Sequence, residues 1–396
     1  MKYQTLKELN LANRSVFLRL DLNCPIRDGK VCDDSRIKAA LPTILHILEQ
    51  TNRLCIASHL GRPKNSSDEQ FSLAPVGERL AELLEKEVLL FKDYDKEPID
   101  QALMQLGKDQ IVLLENLRFN PGEKENDQPF AENLIKGFDY YVNDAFGAVH
   151  RAHASVSTCA NLMSQEKKAI GFLIEKEVSA LEKLKQSPAP FTVVLGGAKV
   201  SDKIGAILAL LTHCNHLIIG GAMAYTFLRF KGHSVGSSKV ETNQEGMIKA
   251  IYEKANRHNV NIHLPCDHVC ASSFDSEESV YVDSKDIPDG FMGLDVGSKT
   301  IKAAEKVLRA SRTVFWNGPL GVFEKEEYAK GTNAMASIVS ELSAYTVAGG
   351  GDSLAAINQT KLSHKFSHLS TGGGASLEFI EEKKLPGLVV LETKRR

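Results

Sequence analysis

The sequence predicts an α/β fold: two doubly wound, Rossmann-like domains with parallel sheets, facing a cleft and joined by a hinge helix. Three observations point there. Short apolar runs ending in polar or glycine-rich loops alternate with segments of helical periodicity, the pattern of parallel strands covered by helices on both faces. At 396 residues the chain is too long for one ordinary core and long enough for two or three. Near its middle a charged helical stretch runs into Ser-Pro-Ala-Pro, where Pro188 and Pro190 stop the helix before the next apolar run.

In the first half the strand-like runs are SVFLRL, RLCIASHL, IVLLENL and DYYVNDAF. RIKAALPTILHILEQ and LAPVGERLAELLEKEV are the helical segments between them. In the second half FTVVLGG, HLIIGGA, RTVFWNG, YTVAGGG and HLSTGGG repeat the strand-to-loop unit, with KVSDKIGAILALL and TIKAAEKVLRA as helices. The expected organisation is a first domain over 1–172, a connecting helix over 173–187 and a second domain over 188–384. No low-complexity tract and no short fixed-period repeat occurs.

Hydrophobic content of 43% and charged content of 25% are ordinary globular values. Lys+Arg 48 against Asp+Glu 50 gives a net charge of −2, so no bulk basic field exists to hold nucleic acid or an anionic bilayer. The opening residues lack the pattern of a secretory signal and no apolar run is long enough to span a bilayer, so a cytoplasmic location is expected. The seven cysteines are dispersed and odd in number, which favours reduced thiols. His263, Cys266, His268 and Cys270 stand close together. If the stretch is extended, its same-face residues are about 6.5 to 7 Å apart, too splayed for one zinc ion, so a structural role is expected.

Positive charge must therefore act locally. Arg19, Arg36, Arg62, Arg118 and Arg151 each stand just beyond an apolar run, where guanidinium forks would converge on a small, multiply anionic ligand. The second half offers glycine loops beyond its strands. A single glycine pair is most simply a turn, but recurrence coupled to charge points to phosphate. Lys199 and Lys203 are four residues apart at the expected start of a helix, on one face, where two ammonium groups suit an intervening anion. In AGGGDSLAAI, Asp352 is a hard carboxylate suited to magnesium or to capping, and Ser353 can cap or meet a phosphate. Walker-type, dinucleotide and protein-kinase fingerprints are all missing, so any nucleotide site must come from separated loops.

The ordered motifs RLDLNCPI, DDSRIKAALPTI, SHLGRP, LLENLRF, NDAFGAVHRAHAS, GGAKVSDK, FMGLDVG, WNGPLGVFE, GGGDS and TGGGASLEF span nearly the whole chain. This set resembles the phosphoglycerate kinase family. The resemblance implies a monomeric glycolytic enzyme, active also in gluconeogenesis, that moves a phosphoryl group reversibly between 1,3-bisphosphoglycerate and ADP, giving 3-phosphoglycerate and ATP, with Mg2+. It implies that Asp21, Leu22, Asn23, Arg36, His59, Leu60, Gly61, Arg62, Arg118 and Arg151 bind the glycerate. Lys203, Gly293, Glu324, Gly350, Gly351, Asp352 and Ser353 would surround the nucleotide, with Asp352 toward the metal. It also implies that the carboxyl-terminal tail, 385–396, returns to the first domain. Two positions depart from the family's usual pattern: Cys24 replaces valine, and Ser353 stands where threonine is common.

The residue chemistry assigns roles within that set. Arg62, Arg118 and Arg151, with His59, suit the phosphate that is not transferred, while Asp21 and Asn23 suit the glycerate hydroxyl. Arg36, Lys199 and Lys203, with backbone N–H groups near Gly350 and Gly373, would meet charge on the migrating group. A carboxylate nucleophile is already ionised at neutral pH, so no general base is required. Arg19 is expected to brace the loop carrying Asp21 and Asn23. Two other readings suit the same pattern: a nicotinamide-dependent oxidoreductase, disfavoured by the missing dinucleotide fingerprint, and a non-catalytic anion-binding protein, disfavoured by Lys199, Lys203 and Asp352.

Overall fold

The structure, a computed structural model, describes residues 2–65, 68–94, 97–276 and 278–393. The chain divides into two compact units: 1–179 with 384–396, and 180–383. The division falls inside the helix Phe172–Lys185, after Ser179.

The first unit is built on six parallel strands: β1 (Val16–Arg19), β2 (Leu54–Ala57), β3 (Glu87–Phe91), β4 (Gln110–Leu114), β5 (Tyr140–Asn143) and β6 (Lys168–Ile170), in the order β3-β4-β2-β1-β5-β6. β1 is central, pairing Val16 to Leu54 and Arg19 to Ala57 on one side, and Val16 to Tyr140 and Arg19 to Asn143 on the other. Their carboxyl ends are thus level. β1, β2 and nearly all of β4 and β5 are buried, which is why they read as continuous apolar runs. Helix Ser35–Leu48 buries Ile37, Ala40, Ile44 and Ile47 at helical spacing and tolerates Pro42 inside it.

The segment LAPVGERLAELLEKEV is not helical throughout. The helix Ala74–Leu84 stops because Glu85 takes a left-handed conformation (φ +51°), with Lys86 N–H donating to Ala81 O at 3.3 Å. The remaining Glu-Val opens β3, an edge strand only partly buried. Its partial exposure weakens the apolar signal that marks the central strands.

The second unit repeats the design with β7 (Phe191–Leu195), β8 (His216–Ile219), β9 (Asn261–His263), β10 (Thr313–Asn317), β11 (Tyr345–Gly349) and β12 (His368–Ser370), in the order β9-β8-β7-β10-β11-β12. This is the doubly wound 3-2-1-4-5-6 arrangement, whose order reverses between β7 and β10. An antiparallel sheet of His268–Ala271, Val280–Val282 and Met292–Val296 is added to it. His268 and Cys270 are buried in that sheet. Among the described residues no group of three or more His, Cys, Asp or Glu side chains could hold a metal ion. Among the described residues, too, no helix is long and apolar enough to cross a membrane.

The tail closes the first unit. Gly387 N–H donates to Val149 O at 2.9 Å, Thr393 N–H to Lys2 O at 2.9 Å, and Tyr3 pairs with Glu392. Leu388 is 2% exposed. Leu388→Ala should therefore cost about 2 to 5 kcal/mol through lost burial and a cavity. A urea titration should show a lower midpoint for this variant; an unchanged midpoint would mean the tail adds nothing to the core.

Candidate active site

In the first unit the sequence-selected residues gather at the level carboxyl ends of β1, β2, β4 and β5. Helix Ser35–Leu48 places Arg36 in its first turn, where Nη1 lies 2.5 Å from Asp21 Oδ2. Gly147, after β5, is packed so closely on Asp21 that a β-carbon there would collide with the carboxylate. Asn23 Oδ1 accepts from Gly61 N–H at 2.8 Å, tying the β1 loop to the β2 loop. Arg118 Nη1 donates to Gly61 O at 2.6 Å, while its buried Nε has no partner among the described residues. Arg151 is half-buried, its Nε 3.2 Å from His150 Nε2, and Arg62 is exposed at the end of its loop.

Leu22 and Leu60 lie in the same loops but face the core, 0% and 3% exposed. Their N–H groups are already engaged, by Ser58 Oγ at 2.9 Å and by Asn116 Oδ1 at 3.2 Å. Cys24 is buried beside them, its thiol pushed up to about 12 by that burial.

Positive charge is crowded here. Burial together with the neighbouring Arg151 and Arg19 pulls Arg118 down to about 10. Burial also pulls His59 well below its ordinary value, and His153 to about 3, with Arg118 and Arg19 acting in the same direction on both. Burial by itself would raise Asp21, but the neighbouring Arg36 and Arg19 guanidiniums outweigh it and hold the carboxyl at about 2. An anion entering this cluster relieves mutual repulsion as well as filling donors.

Sequence reasoning missed two groups that hold the cluster together. Asn116 donates to Leu60 O (2.7 Å) and Phe71 O (2.9 Å), and its Oδ1 also accepts from Arg118 N–H (3.1 Å), stapling the β2 loop to the Arg118 loop. Glu123 is completely buried and accepts from Ser155 N–H (2.9 Å) and Ser155 Oγ (2.7 Å). Asn116 lies inside the LLENLRF motif and was open to notice. Glu123 lies in an acidic stretch that reads as solvated surface.

In the second unit the centre is the reversal point between β7 and β10. Lys203 Nζ donates to Gly196 O at 2.7 Å and Asn317 O at 2.9 Å, the carbonyls at the carboxyl ends of those strands. Gly318 follows at φ +102° with no room for a side chain against Gly196 and Lys203, and its N–H donates to the buried Ser353 Oγ at 2.5 Å. Asn317 Nδ2 donates to Gly349 O at 2.9 Å. Gly350, at φ +94°, opens the helix Gly351–Gln359, whose first turn carries the exposed Asp352. Asp352 acts electrostatically on Lys203. Gly373, at φ +55°, similarly precedes the helix Gly374–Ile380.

Three residues stand apart from that centre. Lys199 is exposed and outside any helix: the chain turns through Gly197, a short 3-10 turn covers Ser201–Lys203, and the α-helix begins only at Ile204. The expected pairing of Lys199 and Lys203 on one helical face is therefore incorrect. The glycines after β7 delay the helix by one turn. Glu241, which the sequence reading passed over, fixes this turn by accepting from Val200 N–H (2.5 Å) and Ser201 Oγ (2.5 Å), with Lys199 beside it. Gly293 lies on the antiparallel sheet against Tyr225, with its N–H donating to Ser238 Oγ at 2.9 Å, and Glu324 is exposed on its own loop.

Strand carboxyl ends crowded with guanidinium groups in one unit, and glycine turns around a part-buried amine in the other, define the chain as an α/β phosphotransferase of two units. The comparisons carry this to a family. The family model for phosphoglycerate kinase matches residues 6–383. A phosphoglycerate kinase of Borrelia hermsii is 46% identical over 395 residues, covering 99% of this chain and 100% of the relative. One from an Anaeromyxobacter species is 47% identical over 397 residues, with the same shares covered. Among solved structures, the phosphoglycerate kinase from Coxiella burnetii superposes with a TM-score of 0.88 at 39% identity, and that from Pyrococcus horikoshii OT3 with 0.83 at 31%, each covering 98% of both chains. The chain belongs to the phosphoglycerate kinase family. Membership sets aside the nicotinamide-dependent and non-catalytic readings.

Burial pulls Lys203 from 10.5 down to about 8, against the opposing pull of Asp352. A depressed lysine destabilises the fold while it is charged, so this cost is fully present below about pH 8 and fades as pH rises toward 10.5. In the ligand-free protein Lys203 should titrate near pH 8, read from its side-chain NMR shifts. Titration at the ordinary lysine value would overturn the account of its burial.

Proposed function

We propose that this chain catalyses reversible phosphoryl transfer between 1,3-bisphosphoglycerate and ADP, yielding 3-phosphoglycerate and ATP, as a monomer in the cytoplasm without nucleic-acid or membrane partners. The reading is supported by Asp21, Asn23 and Arg36 in the first unit and Lys203, Gly318 and Gly350 in the second, which gather at strand carboxyl ends around the reversal points where α/β sheets bind ligands. The first unit takes the glycerate and the second the nucleotide.

In this reading Arg62, Arg118, Arg151 and His59 clamp the phosphate that stays, and Asp21 and Asn23 orient the hydroxyl. Leu22, Leu60 and Gly61 shape the loops around it. Arg36 faces the reacting carboxyl end. Lys199 and Lys203 meet charge on the migrating group, with backbone N–H groups at Gly350 and Gly373. Gly293, Glu324, Gly351 and Ser353 enclose the nucleotide.

Magnesium enters with the nucleotide as part of the substrate. Asp352, a single exposed carboxylate at a glycine turn, fits an ion that keeps several waters and takes one or two carboxylates beside phosphate oxygens. Since the attacking group is an ionised carboxylate, the protein's task is positioning, charge neutralisation and exclusion of water. The two substrates must be brought together without water, so hinge motion at the helix Phe172–Lys185 belongs to the reading.

A coupled assay with Mg2+, ATP and 3-phosphoglycerate tests it. Arg36→Ala and Lys203→Ala should each lower kcat by about 100- to 1,000-fold, the usual effect of removing one donor from transition-state charge. Full turnover in both variants would defeat the assignment.

A further inference from the structure

Arg19 stands at the end of β1, fully buried. A guanidinium has donors only, and those of Arg19 are directed in a fixed way. Nε donates to Ser155 Oγ at 2.8 Å, Nη1 to the Leu20 carbonyl, and Nη2 lies 3.2 Å from His59 Nδ1. Ser155 Oγ in turn donates to Glu123 Oε1 at 2.7 Å, and Glu123 lies 3.9 Å from Arg19 Nη2 as its balancing carboxylate. Each hydrogen bond in this chain therefore has one possible direction.

The consequence falls on His59. A ring nitrogen facing an arginine donor must offer its lone pair, so Nδ1 cannot carry the proton. In the neutral ring the proton must then sit on Nε2. We propose that Arg19, seated by Ser155 and Glu123, is a positioning residue that locks His59 in the Nε2–H tautomer, so that His59 meets a ligand oxygen as a fixed neutral donor. The inference rests on the glycerate-site reading above only for the identity of that ligand.

The surroundings of His59 favour the locked state. Burial disfavours a second proton on the ring most strongly, the Arg19 and Arg118 guanidiniums act in the same direction, and Asp21 acts the other way. An imidazole that cannot gain a proton keeps the same donor geometry across the working pH range. It also spares the site a charge that would change with pH.

Nitrogen-15 NMR of the histidine rings in the whole protein tests the proposal. In the wild type, His59 should show a protonated Nε2, an unprotonated Nδ1 and no titration between about pH 5 and 8. Arg19→Gln, whose amide can turn either its oxygen or its nitrogen to the ring, should mix the tautomers, so that part of the ring population carries its proton on Nδ1. KM for 3-phosphoglycerate should rise about tenfold, with kcat changed far less, as expected for one lost ligand donor. A proton on Nδ1 in the wild type, or titration of the wild-type ring in that window, overturns the proposal even if the variant fails to fold. If the tautomer is as stated but 3-phosphoglycerate leaves the Nε2 resonance unmoved, the lock stands and the glycerate-site reading fails.

Discussion

Cationic groups held largely out of water are the constraint on which the rest of the site depends. Arg19 and Arg118 are 0% and 6% exposed, and Lys203 is only partly open to solvent. An isolated buried charge is expensive, so each needs a fixed partner before any ligand arrives. The two units solve this differently. The first uses mainly carboxylates, Asp21 for Arg36 and Glu123 for Arg19 through Ser155, with the Gly61 carbonyl for Arg118. The second uses main-chain carbonyls at two strand ends, which seat the Lys203 ammonium without cancelling its charge.

That difference explains why the sheets must be wound as they are. Gly196 O and Asn317 O converge on one amine only because β7 and β10 are neighbours with level ends, although more than a hundred residues separate them in sequence. In the first unit Asp21 and Gly147 meet because β1 and β5 are likewise neighbours. Both meeting places are points where the strand order reverses, so helices leave on opposite sides and open a gap between adjacent loops. The glycines at 147 and 318 keep that gap free of side chains, and Gly318 also supplies a left-handed turn.

Much of this was legible in the sequence because fully buried parallel strands announce themselves as apolar runs, and their loops carry the charge. β1, β2, β7 and β10 read directly. β3 did not, because an edge strand of mixed exposure following a helix without a glycine stop looks like more helix, and the left-handed Glu85 that ends it leaves no mark in composition. Lys199 and Lys203 were placed on one helix because spacing is visible and the extra 3-10 turn is not. Glu123 was illegible for a deeper reason. Its partners Arg19 and Ser155 lie 104 residues before it and 32 after it, and only the packed structure shows that a carboxylate in an acidic stretch is buried among cations.

The contrast between the two kinds of charge seat bears on why one phosphate would stay while another moves. Guanidinium groups, with Arg118 anchored to Gly61 O, beside a histidine whose donor is fixed by Arg19, form a receptor whose charge stays constant around neutral pH. Such a receptor binds ground state and transition state alike, which suits the phosphate that is only held. Lys203 is a single amine on a flexible stem, charged near neutrality yet depressed to about 8. In the proposed reaction, developing negative charge near Lys203 would strengthen its hold on the proton, so that its interaction would grow as the phosphoryl group loosens from its donor oxygen. The rigid seat fixes position and the adjustable one answers to charge, and a phosphotransferase needs both.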